Sequence, residues 1–319
     1  MIAHNKKLFL TCLAVLAVLF LLQFVLSSYL VLALTRILIL AVFAMGYNIL
    51  MGYTGLLSLG HAMFFGVGLY GAGLTTYYWG FSLPIAFFFG ILVSAIASAL
   101  IGLLALRTKT VAFMIVTLMF SQVAFLATLQ FASITGGDQG LTLPTEARSF
   151  GLLGMTVDMT LDGARYNTAF LIFATVLALT FIITRGPLGR LLLAVRENAN
   201  RTEMLGYNIY QIKLVAFILS GTIAGTSGAL YGLMFGYIGS AFVDFQSSIQ
   251  PLLFTLVGGP GTLLGPLLGT ALMTMLIDRL SSITSAYLIV VGVLLIVMNL
   301  WFPKGILGTI RDRWVKWLN

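Results

Sequence analysis

Charge is what this sequence has least of. Asp, Glu, Lys and Arg make up 8% of its 319 residues, where soluble domains carry roughly 25%. A water-facing surface cannot be built from so few, so an ordinary soluble globular domain is excluded. Cysteine is nearly absent as well. The single Cys12 cannot form an internal disulfide, and with only two histidines no Cys/His grouping has metal-site spacing. Redox and metal chemistry therefore lack residues, and no cofactor is expected. Acidic residues are the scarcer charges, nine against 17 basic ones. None is placed well inside an apolar run, Asp278 being read as a span end, whereas an ion-coupled secondary transporter usually carries carboxylates there. A membrane-embedded enzyme would need clustered His, Asp or Glu, which are also missing.

What the chain has is hydrophobic length. Hydrophobic residues make up 60% of it, and mean hydropathy is +1.07. Leu8 to Leu26 and Val111 to Ile134 contain no charge, and each approaches the ~20 residues a helix needs to cross about 30 Å of hydrocarbon. The expected fold class is all-α integral membrane, one transmembrane domain over 1–319 in contact with the lipid bilayer. Lys6 and Lys7 precede the first run, which is longer than a signal core and lacks an A-x-A site. It reads as an uncleaved span.

Candidate spans fall at 8–26, 31–51, 53–79, 83–106, 111–132, 166–184, 213–235 and 285–302. The segment 249–279 is apolar but interrupted at Gly258-Gly259-Pro260-Gly261. Basic residues then orient the chain by the positive-inside rule, which also explains a net charge of +8 without nucleic acid. Lys6 and Lys7 place the N-terminus in the cytoplasm, 133–165 becomes an external loop, and 185–213 a cytoplasmic loop with five basic residues. The tail 303–319, with Lys304, Arg311, Arg313 and Lys316, is cytoplasmic only if 249–279 crosses an even number of times. The expectation is about eight full transmembrane helices plus a broken or re-entrant hairpin, with both ends cytoplasmic. Arg36, near the external end of span two, is expected to snorkel to the interface.

Glycine is abundant, at 34 residues. Gly221, Gly225, Gly228, Gly232 and Gly236 share one helical face, and Gly261, Gly265 and Gly269 repeat a four-residue step. Such faces let helices approach closely in lipid. Gly66-Val-Gly68-Leu-Tyr-Gly71 imitates a dinucleotide fingerprint, but it lies in a hydrophobic span without the acidic residue ~20 positions on. Gly258 to Thr262 lacks the lysine of a phosphate loop. The chain thus carries no ATP site of its own. Gly52 to Gly73, with Thr54, Ser58 and His61 among seven glycines, is expected to be irregular or broken, which membranes tolerate only where backbone is buried or lines a cavity. His61 is read either as a pathway residue or as a packing or interfacial one. In the cytoplasmic loop, Leu191 to Leu205 reads as a short polar helix ended by Gly206, either a docking helix or a solvated connector.

These motifs carry a resemblance. Gly52-Tyr-Thr-Gly-Leu-Leu-Ser-Leu-Gly-His-Ala-Met-Phe-Phe-Gly66, Thr135 to Leu141, Gly189 to Asn198 and Leu205-Gly-Tyr-Asn occur in order, followed by Gly258 to Pro266 and Phe302-Pro-Lys-Gly305. Together they resemble the branched-chain amino acid ABC importer permeases, in their M-type subunit, from about residue 30 to residue 308. The resemblance implies one half of a translocation pathway in the bacterial cytoplasmic (inner) membrane. Its partners would be a second homologous permease, two cytoplasmic ATPase subunits and a periplasmic substrate-binding protein. It also implies coupling to the ATPase through Arg196, Glu197, Glu203 and Gly206. The pathway is expected to run past Thr54, Ser58, His61, Gly259 and Thr262. Where the family usually has a glycine and a tyrosine after Leu-Arg, this chain has Leu106-Arg-Thr-Lys-Thr-Val-Ala-Phe113. Relatives with the same motifs carry urea, short amides or other amino acids, so the substrate stays open at this point. An ion-coupled secondary transporter or an ATPase-free channel are the rival readings.

Overall fold

The computed structural model describes residues 2–152, 155–284 and 286–313. Fourteen α-helices dominate these residues: α1 (Ile2–Leu22), α2 (Ser28–Asn48), α3 (Ala62–Trp79), α4 (Leu83–Ala105), α5 (Thr110–Gln130), α6 (Ala132–Thr135), α7 (Asp162–Arg185), α8 (Pro187–Glu197), α9 (Ala199–Met204), α10 (Ile209–Phe235), α11 (Phe245–Gly258), α12 (Gly265–Ile283), α13 (Tyr287–Trp301) and α14 (Gly305–Arg313). A π-helical turn, Ile49–Tyr53, extends α2. Among the described residues five helices are long and apolar enough to cross a membrane: Ser28–Tyr53, Leu83–Ala105, Thr110–Gln130, Asp162–Arg185 and Ile209–Phe235. The remaining strands are short. Antiparallel β1 (Leu141–Thr142) and β4 (Tyr237–Ile238) pair across the chain, and β2 (Ser149–Leu152) and β3 (Met155–Asp158) form a hairpin.

Burial runs opposite to that of a soluble bundle. The inward face of α4 is Ala86, Gly90, Ser94, Ser98 and Gly102, while Ile85, Phe88, Leu92, Ile96 and Leu100 are exposed. Large apolar side chains on the outside and small or hydroxyl ones inside suit a surround of lipid, where close backbone contact drives association. Ser94 Oγ donates across the interface to the Gly221 carbonyl at 3.0 Å. α2 and α10 form the centre, with α3 and α4 packed on α10, and α7, α11 and α12 on α2.

The glycine face of α10 meets α3 and α4. A Cβ on Gly228 would stand 1.9 Å from the Phe65 carbonyl oxygen, and one on Gly225 2.1 Å from Ser94 Oγ. Gly221 faces Ser98 and Gly232 faces Leu69. Gly236 has φ +67 and ends α10. The other glycine row is not one face. Gly261 lies in the turn before α12 with φ +77, Gly265 opens that helix, and only Gly269 packs mid-helix, its Cβ position 1.9 Å from the Phe254 carbonyl oxygen. The four-residue step was a poor guide because Pro260 and two left-handed glycines break the helix there.

Four further expectations change. The span read at 53–79 is not continuous: it leaves the helix from Gly55 to Gly60 and resumes at Ala62. The cytoplasmic helix begins at Pro187 and divides at Asn198, whose side chain accepts the Arg201 N–H at 2.9 Å and caps α9. Arg36 does not stand alone at an interface: its Nη1 lies 3.5 Å from Asp278 Oδ1. Asp278 in turn sits inside α12, with five helical residues after it. Residues 314–319, including Lys316 of the basic tail, lie outside the described residues.

Candidate functional site

The site is built where two irregular segments meet. α2 carries no charged or amide side chain from Ile37 to Tyr47, Asn48 ends it, and the wider π turn then delivers Gly52 and Tyr53 before the helix ends. Such turns cluster at functional positions because they break the regular ladder. The Thr54 hydroxyl donates back to the Leu50 carbonyl at 2.5 Å. Residues 55–60 then run without helix: Gly55 and Leu56 N–H reach back to the Met51 and Leu50 carbonyls, and side chains bond further backbone groups here. Tyr47 donates to the Ser58 carbonyl at 2.9 Å, Thr117 Oγ1 accepts from Leu59 N–H at 3.2 Å, and Ser248 Oγ accepts from Ala62 N–H at 3.0 Å. Non-helical backbone at membrane depth requires this kind of internal satisfaction.

The second irregular segment joins α11 to α12. Thr262 Oγ1 donates to the Gly259 carbonyl at 2.7 Å, folding the turn on itself. Asn48 then binds it to the first segment. Its Nδ2 donates to the Thr262 carbonyl at 2.8 Å, and its Oδ1 accepts the Gly261 N–H at 2.9 Å. Space is exhausted here: a Cβ on Gly52 would stand 2.1 Å from Asn48 Oδ1 and 2.4 Å from the Gly261 nitrogen.

His61 lies on the other side of this contact, fully buried. Its Nε2 is 3.0 Å from Ser220 Oγ, and that hydroxyl spends its one proton on the Gly46 carbonyl at 2.5 Å. Nε2 is therefore the protonated nitrogen. Among the described residues, Nδ1 is a buried acceptor without a partner. Phe43 stacks on the ring at 6.0 Å, and Tyr47 and Phe64 meet it edge-on.

The sequence-predicted coupling residue Arg196 reaches this site from α8. Its Nη1 donates to the Gly52 carbonyl, and its side chain packs on Gly55. A cavity of about 600 Å³ opens beside it. Arg185, Arg196, Lys304 and Arg311 line that cavity together with one carboxylate, Glu197, and with Tyr53, Pro260 and Gly261. Tyr53 and Thr184 stand on the same wall. Among the described lining residues, then, four are cations and one is an anion.

Of the residues singled out in sequence, Thr54, Ser58, Gly259 and Thr262 are buried, with their hydroxyls bonded to nearby backbone, and Thr262 is joined to Asn48. Glu203 and Gly206 stand apart on an exposed tip, with Met204 87% and Leu205 72% exposed. Gly206 closes α9 with φ +89: its N–H reaches the Glu203 carbonyl at 2.8 Å and Tyr207 N–H reaches Thr202 at 3.4 Å, the double bond of a left-handed helix cap. Sequence reasoning missed Asn48. A lone amide in an otherwise apolar run was the available signal.

Comparison with known proteins adds a family. The family described as branched-chain amino acid transport system / permease component matches residues 29–299. The high-affinity branched-chain amino acid transport system permease protein LivM of Salmonella typhimurium is 29% identical over 97% of this chain and 76% of its own length. LivM of Escherichia coli K12 gives the same figures. The permease protein LivH of E. coli K12 is 24% identical over 84% of this chain and 91% of its own length. No solved structure gives a significant match.

Proposed function

This chain belongs to the branched-chain amino acid transport permease family and is a multi-pass membrane protein of that transport system; from that premise we propose that it forms half of the path by which an ATP-driven importer moves branched-chain amino acids inward. It supplies the membrane passage, and hydrolysis belongs to its partners. Those partners are a second homologous permease, two cytoplasmic ATPase subunits and a periplasmic substrate-binding protein.

One observation carries the mechanism. Arg196, on the short helix α8, bonds directly to Gly52 of the broken segment. A push on α8 from a docked ATPase is thereby delivered to the backbone that joins 49–61 to 259–264. α9 supplies the docking knob, with Glu203 charged and Met204 and Leu205 exposed. Asn48, Thr54, Ser58, His61, Gly259 and Thr262 form the closure, which opens when the two segments part. ATP binding would rock this chain against its partner permease, a rigid-body route to alternating access.

The same geometry supports the topology proposed here. Asp278 near the end of α12 meets Arg36 near the start of α2, whereas Gly261 at the hairpin turn meets Gly52. Positions 36 and 52 are about 24 Å apart along a helix at 1.5 Å per residue. The hairpin α11–α12 runs beside α2 over that distance, which supports two short crossings. The even number keeps both termini cytoplasmic, with 133–165 external, 185–213 as the coupling loop and 303–319 inside the cell.

Reconstitution tests the proposal. The chain is co-expressed with its neighbouring transport subunits, purified, and placed in proteoliposomes with ATP and the binding protein. Uptake of leucine, isoleucine or valine is expected, with urea failing to compete. Uptake of urea or a short amide in their place would move the substrate elsewhere in the family. Uptake without any ATPase subunit would overturn the mechanism.

A further inference from the structure

Arg36 and Asp278 form an ion pair in an unusual setting. Arg36 is nine residues into α2, about 12 Å along a helix rising 1.5 Å per residue. Both side chains are nevertheless open, 44% and 40% exposed. A pair so open, near the start of α2 and the end of α12, does not lie against hydrocarbon, where each charge is costly. This face therefore borders water or another protein. The pair is also loosely made. One contact of 3.5 Å joins it, where charge-assisted bonds close to roughly 2.7–2.9 Å and arginine pairs are frequently bidentate.

Beside Arg36 lies a cavity of about 240 Å³. It is smaller than the ~300–1,000 Å³ of drug-sized sites, so its occupant is small. Its wall is a box of four aromatic rings. Phe65 lies 5.0 Å from Phe43, 5.8 Å from Tyr231 and 6.1 Å from Phe242, and Tyr231 and Phe242 are 4.9 Å apart. Arg36 stands among the lining residues, and Ser247, in the first turn of α11, is another.

We propose that Arg36, Asp278 and this aromatic box form a transient binding site for the zwitterion of an apolar α-amino acid within the membrane. The site rests on the transport reading above and supplies its recognition chemistry. A guanidinium presents a planar fork to a carboxylate, a carboxylate accepts from an ammonium, and the rings cover an aliphatic side chain. The zwitterion exchanges one protein ion pair for two mixed ones, so no charge is left unpaired at depth. An apolar amine or a fatty acid would satisfy only one of the two charges. The floor of the box also touches the closure, because Phe43 stacks on His61. Occupancy is thus communicated to the segment that must open.

Leucine uptake by the complete transporter in proteoliposomes tests the site. The variants are Arg36→Gln, Asp278→Asn, the two combined, and Ser247→Trp, which fills the cavity. Each single change is expected to lower uptake about tenfold or more, the combination is expected to stay low, and Ser247→Trp is expected to lower uptake with assembly intact. An ion pair that merely ties α2 to α12 predicts the reverse for the combination, because two neutral side chains leave no orphaned charge. Recovery of uptake there overturns the site, and so does wild-type uptake by Ser247→Trp. Where a charge variant does not assemble, Ser247→Trp decides. Wild-type liposomes that take up no branched-chain amino acid would overturn the transport reading itself. Unchanged uptake by all variants overturns the site alone.

Discussion

Asn48 and Thr262 are 214 residues apart in sequence and joined at 2.8 Å, the amide of one donating to the carbonyl of the other. The same side chain accepts from Gly261. One buried amide thus satisfies two backbone groups of a turn that has no helix to satisfy them. Replacing Asn48 by Ala leaves both unpaired, at about 1–3 kcal/mol each. Thermal unfolding of the purified complex is expected to begin several degrees lower. An unchanged midpoint would mean that water replaces the amide at no cost.

Cysteine accessibility follows from the same contact. Ser58 and Thr262 are buried, so Ser58→Cys and Thr262→Cys should resist a small polar thiol reagent in the resting transporter. Trapping the ATPases in another nucleotide state is expected to expose them. Cysteines that stay silent in every state would remove these segments from the path.

Arg196 should be separable from ATPase docking. Its guanidinium reaches the Gly52 carbonyl, and lysine offers a point charge with different reach. Arg196→Lys and Arg196→Ala are expected to lose transport about tenfold or more, the scale of a lost charged hydrogen bond. Both should still co-purify with the ATPase subunits. Loss of co-purification would relocate Arg196 to the docking surface.

The α9 tip is expected to behave in the opposite way. Gly206 has open space around it, so Gly206→Ala meets no clash. It pays only for φ +89, about 1–2 kcal/mol, and Gly206→Asn should pay less. Glu203→Ala removes an exposed charge without touching the membrane region. Both Gly206→Ala and Glu203→Ala should weaken ATPase binding, measured by pull-down, while the amount of inserted protein is unchanged. Pull-downs equal to wild type would assign docking elsewhere.

Gly228→Val would drive methyl groups into the Phe65 backbone. Overpacking of this kind costs about 1–3 kcal/mol or more when backbone must move. Gly163→Ala, with nothing within 4 Å, is the matched control. The first is expected to lower the yield of folded protein in fluorescence size-exclusion profiles, and the second is expected to leave it unaltered.

Composition and apolar runs located most of the long helices, because a membrane span is a local property of about twenty residues. The break at 259–264 was legible for the same reason: Gly258 to Gly261 announces itself. Tertiary partnerships were not. Asp278 read as a span end because nothing nearby in sequence pairs with it, and its partner, Arg36, lies 242 residues away. The division of the cytoplasmic helix at Asn198 was missed because its neighbours all favour helix, and only the side-chain cap on Arg201 reveals the stop. The row Gly261, Gly265 and Gly269 misled, since a four-residue step does not show that the second helix begins only at Gly265. Family motifs located the coupling loop, and geometry added what Arg196 touches.

The closure between the Arg36 and Arg196 cavities is largely made of peptide groups. The Gly52, Ser58 and Thr262 carbonyls and the Gly261 N–H do the joining. Every residue has such groups, so substitutions that keep Tyr47, Asn48, Arg196 and the tightly packed Gly52 and Gly60 leave the seal's own atoms in place. The Arg36 cavity is made of side chains and has no such insurance. Divergence can therefore retune what the molecule carries, one ring or one charge at a time, while the barrier against leakage is inherited intact.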